Sequence, residues 1–186
     1  MHLIFRTFLV MIRARRRRRR GDTLGFWDVG RIRLRVLPTD LDVLRHMNNG
    51  VYLSIFDLGR FDLLVRNGLW AEFGRRGWYP VVSSETITFR KSLNPWQRFS
   101  VETRVIGYDE KGVFIEHRAV VGGEIYTQAI VRGRFLKRAG GTVSMTELLE
   151  VTGLPPQGVS LADWHVQWAR DVALPPTKAP APSEWN

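Results

Sequence analysis

The spacing of hydrophobic and polar residues changes several times along the chain, and each spacing predicts a different secondary-structure element. Residues 31–36 alternate strictly, which predicts a half-buried strand that ends before Pro38. Residues 49–66 are apolar on nearly every side apart from one narrow polar stripe. We therefore expect a long helix that is buried on most sides and that stops at Gly68.

Four further strands are predicted after a short second helix at residues 69–76. Alternation or hairpin turns mark these strands, which we place at residues 86–90, 99–105, 113–121 and 124–136. A capping box opens a helix at Ser144, and an amphipathic segment spans about residues 161–171. The order of elements predicts an α+β domain, in which an antiparallel sheet of about five strands wraps around one long hydrophobic helix.

Charge and composition divide the chain further. The net charge of +10 is concentrated in residues 1–20, which hold eight of the 28 basic residues and no acid. The remaining 20 basic and 18 acidic residues leave a body of only +2. We expect an apolar and polyarginine arm at residues 1–27 and a main domain at residues 28–140. A helical extension at residues 141–174 and a disordered Pro/Ala-rich tail at residues 175–186 complete the chain.

Three interpretations of the arm remain open. Its first twelve residues are too short a run to span a bilayer, and no cleavage site of a secretory signal follows them. Apolar residues beside an arginine block are typical of an interfacial anchor on an anionic membrane. The alternatives are a disordered arm that precedes the true domain and an electrostatic nucleic-acid contact without sequence specificity. The first interpretation predicts a cytoplasmic protein, peripheral to the inner face of the membrane.

Several kinds of chemistry are excluded or disfavoured. The chain has no cysteine, so disulfides, thiolate metal sites and cysteine nucleophiles are excluded, as suits a reducing compartment. The four histidines are scattered, and no G-x-S-x-G motif or Gly-rich phosphate loop is present. We therefore expect no metal and no cofactor.

The segment from Asp40 to Arg60 carries the candidate chemistry. Asp42 precedes His46 by four residues, and Asn48, Asn49 and Gly50 then open the long helix. An asparagine cap and the unpaired amides of a first helical turn suit the developing negative charge of acyl-group chemistry.

Each candidate also has a structural interpretation. Asp42 is either a nucleophile or base toward a thioester, or a loop acid that caps a turn. His46 either orients the acid or moves a proton, or it fixes the loop. The two asparagines either cap the helix or also position the amide that binds a carbonyl. The pair Asp57 and Arg60 is spaced for an ion pair of structural character.

On these residues the chain resembles the hotdog-fold thioesterases of the 4-hydroxybenzoyl-CoA thioesterase type, and within them the thioesterase-superfamily-member-six-like group. The likeness covers about residues 28–138 and is strongest at Asp40–Asp42, at His46–Asn49, at Tyr52 and at Arg60. Pro80–Val82, Phe89–Leu93 and Gly107–Asp109 support it. The spacing D-x-D-x3-H-x-N-N-x2-Y is specific for the superfamily and uninformative about the substrate.

The resemblance implies an acyl-CoA or other acyl-thioester hydrolase of lipid metabolism, in a homodimer or a dimer of dimers with sites at the subunit interface. It implies catalytic roles for Asp42 and His46 and substrate-binding roles for Asn48, Asn49, Gly50 and Tyr52. Leu44 departs from plant relatives that carry an asparagine there, so their water-positioning scheme need not apply. The alternative function is a non-catalytic acyl-thioester or lipid-binding module at the membrane surface. A hydratase is less favoured, because its acid-to-histidine spacing differs.

Overall fold

The computed structural model describes residues 2–183 and shows a five-stranded antiparallel sheet folded around one central helix. The strand order in the sheet is β1-β3-β4-β5-β2. In chain order the elements are α1 His2–Arg19, β1 Gly30–Arg35, α2 Asn49–Arg66, α3 Leu69–Arg75, β2 Trp78–Phe89, β3 Arg98–Tyr108, β4 Val113–Val121, β5 Glu124–Lys137, α4 Met145–Thr152 and α5 Asp163–Asp171. The predicted α+β fold and its central helix are confirmed.

The central helix α2 is the core of the domain, as its nearly continuous apolar surface predicts. Ile55, Phe56 and Leu58 are fully buried against the inner face of the sheet. Helix and sheet approach each other closely at Gly59, where an added Cβ would lie 2.2 Å from Thr103 Oγ1. Only a glycine permits this approach, which brings α2 against β3.

The N-terminal segment is a docked helix, so the interpretation as a disordered arm is wrong for residues 2–19. Val10 and Ala14 of α1 are buried against the domain. Arg6 pairs with Asp40 near one end of α1, and Arg18 Nη1 donates to the Arg66 carbonyl at the other end, 2.9 Å away. The guanidinium of Arg18 thus meets the negative end of the α2 dipole. These arginines belong to the fold and not to a free tail.

Strand β2 is longer than the sequence predicted. It begins at Trp78 and continues through Pro80, with a bulge between Val82 and Ser84. A proline is tolerated there because β2 is an edge strand, whose outer side needs no ladder hydrogen bond.

The C-terminal extension forms α4 and α5 as expected, and a capping box between Ser144 and Glu147 opens α4. Lys137 and Ser144 hold the pKa of the Glu147 carboxyl at about 2 through hydrogen bonds. Residues 175–183 form no helix or strand, and residues 184–186 of the predicted tail lie outside the described residues. Within residues 2–183, no helix combines the length and hydropathy that a bilayer crossing requires.

Candidate active site

Asp42 and His46 lie together in a tight loop at the start of the central helix. The loop is closed by hydrogen bonds from Asp42 N–H to the His46 carbonyl and from Arg45 N–H to the Asp42 carbonyl, each 3.0 Å. Arg45 takes a φ of +61°, a conformation that is unfavourable for a non-glycine residue. Such strain persists only where the surrounding structure enforces it, and it clusters at functional sites.

The two carboxylate oxygens of Asp42 have different surroundings. Oδ1 accepts the Leu44 N–H at 2.9 Å, which is the turn-capping role that the structural interpretation expected. Oδ2 lies 3.4 Å from His46 Nδ1, and the two side chains remain 20% and 28% exposed. One oxygen therefore fixes the loop while the other faces an imidazole at an accessible surface. Val43 and Leu44, at the tip of the loop, are exposed in the single chain.

The N-terminus of α2 is capped and open to solvent. Asn48 Oδ1 accepts the Gly50 N–H at 2.9 Å, so the predicted cap is confirmed. The Val51 N–H bonds the Asn48 carbonyl, also at 2.9 Å. Among residues 2–183 the Asn49 N–H has no partner, and residues 48–50 are all exposed. This amide and the positive end of the helix dipole are groups that can stabilise an oxyanion.

Asp40 joins three elements beneath the loop, a role that sequence reasoning missed. Its carboxylate is fully buried and accepts two bonds from Arg6 Nη1, at 2.9 and 2.8 Å. Oδ2 also accepts the Leu37 N–H at 2.9 Å, and its backbone carbonyl accepts the Asn48 N–H at 2.8 Å. Asp40 thereby fixes the loop and the start of α2 relative to α1. The D-x-D spacing marked this residue, but its partner is 34 residues away.

Tyr52 lies in the core beside the site and not at its surface. The Leu93 N–H donates to the Tyr52 hydroxyl at 3.2 Å, and Met47 N–H donates to the Leu93 carbonyl at 2.9 Å. The ring packs edge-on against Phe89, with centroids 5.3 Å apart. These contacts give Tyr52 a positioning role behind the loop, and its expected role in substrate binding stays a prediction.

A second polar network crosses the core behind α2. The predicted ion pair between Asp57 and Arg60 is present. Arg60 Nη1 lies 3.1 Å from His117 Nε2, and His117 Nδ1 lies 2.9 Å from Thr103 Oγ1. Because a guanidinium only donates, His117 Nε2 accepts, and Nδ1 carries the proton that is donated to Thr103. Burial and the neighbouring Arg60 charge lower the pKa of His117 well below 6.5, so the ring is neutral.

An apolar cavity of about 150 Å³ lies between α2 and the sheet. Phe61 and Leu64 of α2 line one side, and Pro80–Val82 of the edge strand β2 line another. Asp57 and Arg60 are polar groups at its wall. Asp57 is eight residues beyond Asn49, or about 12 Å along the helix axis. The cavity is therefore separated along α2 from the Asp42 loop of the same chain.

No group of three or more histidine, aspartate or glutamate side chains within residues 2–183 is arranged to hold a metal ion. His117 is buried, and its two ring nitrogens are already bonded to Thr103 and Arg60. At the Asp42 loop the chain presents a carboxylate, an imidazole and the backbone amides of a helix N-terminus.

Comparison with known proteins shows the family to which the whole domain is related. Residues 36–181 match the Thioesterase-like superfamily. "Protein THEM6" from Xenopus laevis is 37% identical over 99 residues, which are 53% of this chain and 48% of that protein. "Probable thioesterase YBR096W" from Saccharomyces cerevisiae is 27% identical over 120 residues, which are 63% of this chain and 52% of that protein. The chain spans about half the length of the curated relatives it matches.

Solved structures share the fold at low sequence identity. The "YbaW Probable Thioesterase from Escherichia coli" aligns with a TM-score of 0.62 and 18% identity over 65% of this chain and 94% of that chain. The "DHNA-CoA Thioesterase from Staphylococcus aureus" aligns with a TM-score of 0.59 and 16% identity over 77% of this chain and 90% of that chain. These likenesses confirm the predicted hotdog fold.

Proposed function

The chain belongs to the thioesterase-like superfamily, and from that premise we propose that it hydrolyses acyl-CoA or a related acyl thioester. The observation that carries the proposal is the pairing of Asp42 with His46 beside the open N-terminus of α2. An accessible carboxylate oxygen and an amide that has no partner among residues 2–183 supply the two groups that acyl transfer to water requires.

In the proposed reaction the thioester carbonyl oxygen rests on the Asn49 N–H at the start of α2. Asp42 Oδ2 then either takes a proton from the attacking water or attacks the carbonyl carbon itself. Negative charge develops on the carbonyl oxygen, where the amide and the helix dipole stabilise it. One such donor is commonly worth about 10²–10³ in rate. The C–S bond breaks, and the thiolate leaves with a proton that comes from the water. If Asp42 is the base, it passes on that proton and the carboxylic acid is released directly. If Asp42 is the nucleophile, water then hydrolyses the acyl-aspartate anhydride, which releases the carboxylic acid and restores the Asp42 carboxylate.

We propose that two copies of the chain complete the site, as the family resemblance implies. Strand β2 is a twelve-residue edge strand that exposes Tyr79, Val82 and Phe89. A long apolar edge is normally covered, and antiparallel pairing of β2 with its copy would extend the sheet symmetrically. The cavity beside β2 would then face the second copy of the chain, and the loop of that copy equivalent to the Asp42 loop would lie near the cavity. The cavity is our candidate for the acyl chain.

Release of free thiol from a panel of acyl-CoAs tests the proposal. The expected result is turnover by the purified chain, with a preference for acyl groups that a cavity of about 150 Å³ accommodates. Replacement of Val81 by Trp should fill the cavity and shift that preference towards shorter acyl groups. The matched control is Val29→Trp, on an exposed residue outside the cavity. Saturable binding of acyl-CoA without thiol release across the panel would contradict hydrolysis.

The second candidate function is acyl-thioester or lipid binding at a membrane surface, and α1 favours it. Ile4, Phe5 and Phe8 are each more than half exposed in the first turns of α1. Arg15, Arg16 and Arg19 are exposed in its last turns, and Arg20 is exposed directly after them. Apolar insertion beside cationic side chains suits an anionic bilayer, such as the inner face of a cytoplasmic membrane.

Co-sedimentation with vesicles tests this contact. The wild-type chain should bind vesicles that contain anionic lipid, and replacing Ile4, Phe5 and Phe8 by Ser should release it. Exposed Leu174, replaced by Ser, is the control for general loss of apolar surface. Equal vesicle binding by all three proteins would contradict a role of α1. Hydrolysis by the released variant at the wild-type rate would separate membrane contact from catalysis.

A further inference from the structure

A groove of about 680 Å³ lies between α1 and the β1 edge of the sheet, and five arginines line it. They come from three elements: α1 gives Arg6 and Arg13, β1 gives Arg33 and Arg35, and β3 gives Arg98. No acidic residue is among the lining residues. The remaining lining is mostly apolar, so the groove combines a hydrophobic floor with concentrated positive charge.

The strand register places two of these arginines in direct opposition. Arg35 of β1 lies opposite Arg98 of β3 in the strand register, and like charges at opposite positions destabilise a sheet. Four residues earlier on the same strand, Arg31 is opposed to Glu102 and forms an ion pair of 2.8 Å. The β1–β3 pair therefore contains one position where the arginine charge is balanced by an acid and one where two arginine charges face each other. The position with the unbalanced charge is at the groove.

Four of the five arginines have unused hydrogen-bonding capacity. Arg6 is paired with Asp40. Within the part of the chain that the structure describes, the guanidinium groups of Arg13, Arg33, Arg35 and Arg98 make no hydrogen bond or ion pair. A planar guanidinium presents five donors whose geometry matches phosphate oxygens. Several unpaired guanidiniums around one groove therefore indicate a ligand that brings several negative charges.

We propose that this groove binds the phosphate groups of coenzyme A, the carrier of the acyl group. The inference rests on the proposed function and adds the part of the substrate that the groove recognises. Coenzyme A carries a diphosphate and a ribose 3′-phosphate, about four negative charges at neutral pH, which match four unpaired arginines. The single phosphodiester of a carrier protein would leave most of that positive charge unmatched.

The position of the groove suits a substrate that reaches from the phosphates to the candidate catalytic loop. Arg6 lines the groove and also bonds Asp40, whose backbone carbonyl holds the start of α2. Asp42 follows Asp40 by two residues. The groove therefore adjoins the segment that leads into the Asp42 loop, and we infer that the pantetheine arm extends from the groove to that loop. α1 supplies one wall of the groove, so this helix contributes directly to carrier recognition.

Calorimetric titration of the full chain with coenzyme A tests the groove without any need for turnover. The double variant Arg35→Gln/Arg98→Gln should weaken binding by about ten- to hundredfold, since charge-assisted hydrogen bonds are lost. The control Arg31→Gln removes a charge from the same strand but leaves the groove intact, and its affinity should equal that of wild type. Without ligand the double variant should melt no lower than wild type, because it relieves the opposed charges.

Binding of pantetheine and of anionic vesicles distinguishes recognition of the coenzyme A phosphates from recognition of a lipid surface. Affinity for pantetheine, which lacks the phosphates, should be the same for wild type and double variant. In hydrolysis, the double variant should raise KM for acyl-CoA and leave kcat/KM for an acyl N-acetylcysteamine thioester unchanged. Unchanged affinity for coenzyme A would overturn the proposal. So would a double variant that loses only vesicle binding, because the arginines would then serve a lipid surface.

The outcomes also separate this proposal from hydrolysis. Arginine-dependent binding of coenzyme A without thiol release would support the groove and contradict the hydrolase. Turnover of acyl-CoA with full affinity in the double variant would support the hydrolase and contradict the groove.

Discussion

Removal of the Arg6 guanidinium should destabilise the whole domain, although Arg6 lies in a segment that looks like a detachable arm. Its Nη1 is 2.9 and 2.8 Å from the two Asp40 oxygens, and the side chains of Arg6 and Asp40 are 11% and 0% exposed. Breaking a buried pair by removing one partner costs about 3–5 kcal/mol. Asp40 keeps the Leu37 N–H, so for Arg6→Met we expect the lower end of this range, about 3 kcal/mol. In a chain of this size that lowers Tm by about 6–12 °C.

Urea and thermal unfolding of the Arg6→Met variant measure this loss. The control is Arg31→Met, because the pair of Arg31 with Glu102 also has a distance of 2.8 Å but Arg31 is 65% exposed. An exposed pair contributes about 0–1 kcal/mol, so the control should melt close to wild type. Adding Asp40→Asn to Arg6→Met should recover part of the loss, since it removes the buried charge that the Arg6 guanidinium no longer compensates. Equal small losses in both single variants would refute the docking of α1 as a structural element.

The remaining predictions concern the core behind the site. His117→Gln should flatten the dependence of the unfolding free energy on pH. Above pH 6.5 the imidazole is neutral in both the folded and the unfolded state, but below pH 6.5 only the unfolded chain binds a proton there. The wild type therefore loses up to about 1.4 kcal/mol of unfolding free energy for each pH unit below 6.5. Urea unfolding between pH 8 and pH 5 measures the difference, and parallel curves for the two proteins would contradict a neutral buried His117. Gly59→Ala should cost about 1–3 kcal/mol by overpacking, because the new Cβ meets Thr103 Oγ1 at 2.2 Å and Val101 Cγ1 at 3.0 Å. An unchanged Tm for this variant, measured beside Gly74→Ala where the space is open, would show that helix and sheet are not in close contact.

Sequence patterns predicted those elements whose physical determinants are local. The apolar surface of α2 and its Asn48 cap lie within one segment, so the bounds of the helix were found closely. Alternation located β1 and β3, and the turns on either side located β4 and β5, for the same reason. The first half of β2 was missed because Pro80 and the serine pair argue against a strand, and only the position at the sheet edge makes them acceptable.

Features that depend on distant partners were not predictable from one sequence. The arginines of α1 suggested a membrane anchor, a disordered arm or a nucleic-acid contact. An ion pair within the domain was not foreseen, because Asp40, which pairs with Arg6, is 34 residues away. His117 looked like one scattered histidine, since the partners Thr103 and Arg60 lie on other elements. Within the candidate site, the spacing of Asp42 and His46 located both residues. The division of roles between the two Asp42 oxygens depends on the folded conformation of the loop, which the spacing does not specify.

The activity of Asp42→Asn tests the central claim most directly. This change keeps an oxygen that can accept the Leu44 N–H, so the loop should persist, while the group that activates water or attacks the carbonyl is lost. The matched control is Asp171→Asn, an exposed aspartate of α5. If the account is right, kcat/KM for the best acyl-CoA substrate falls by at least about 10²-fold in Asp42→Asn and stays at the wild-type value in Asp171→Asn. Thiol release by a folded Asp42→Asn variant at the wild-type rate would contradict it.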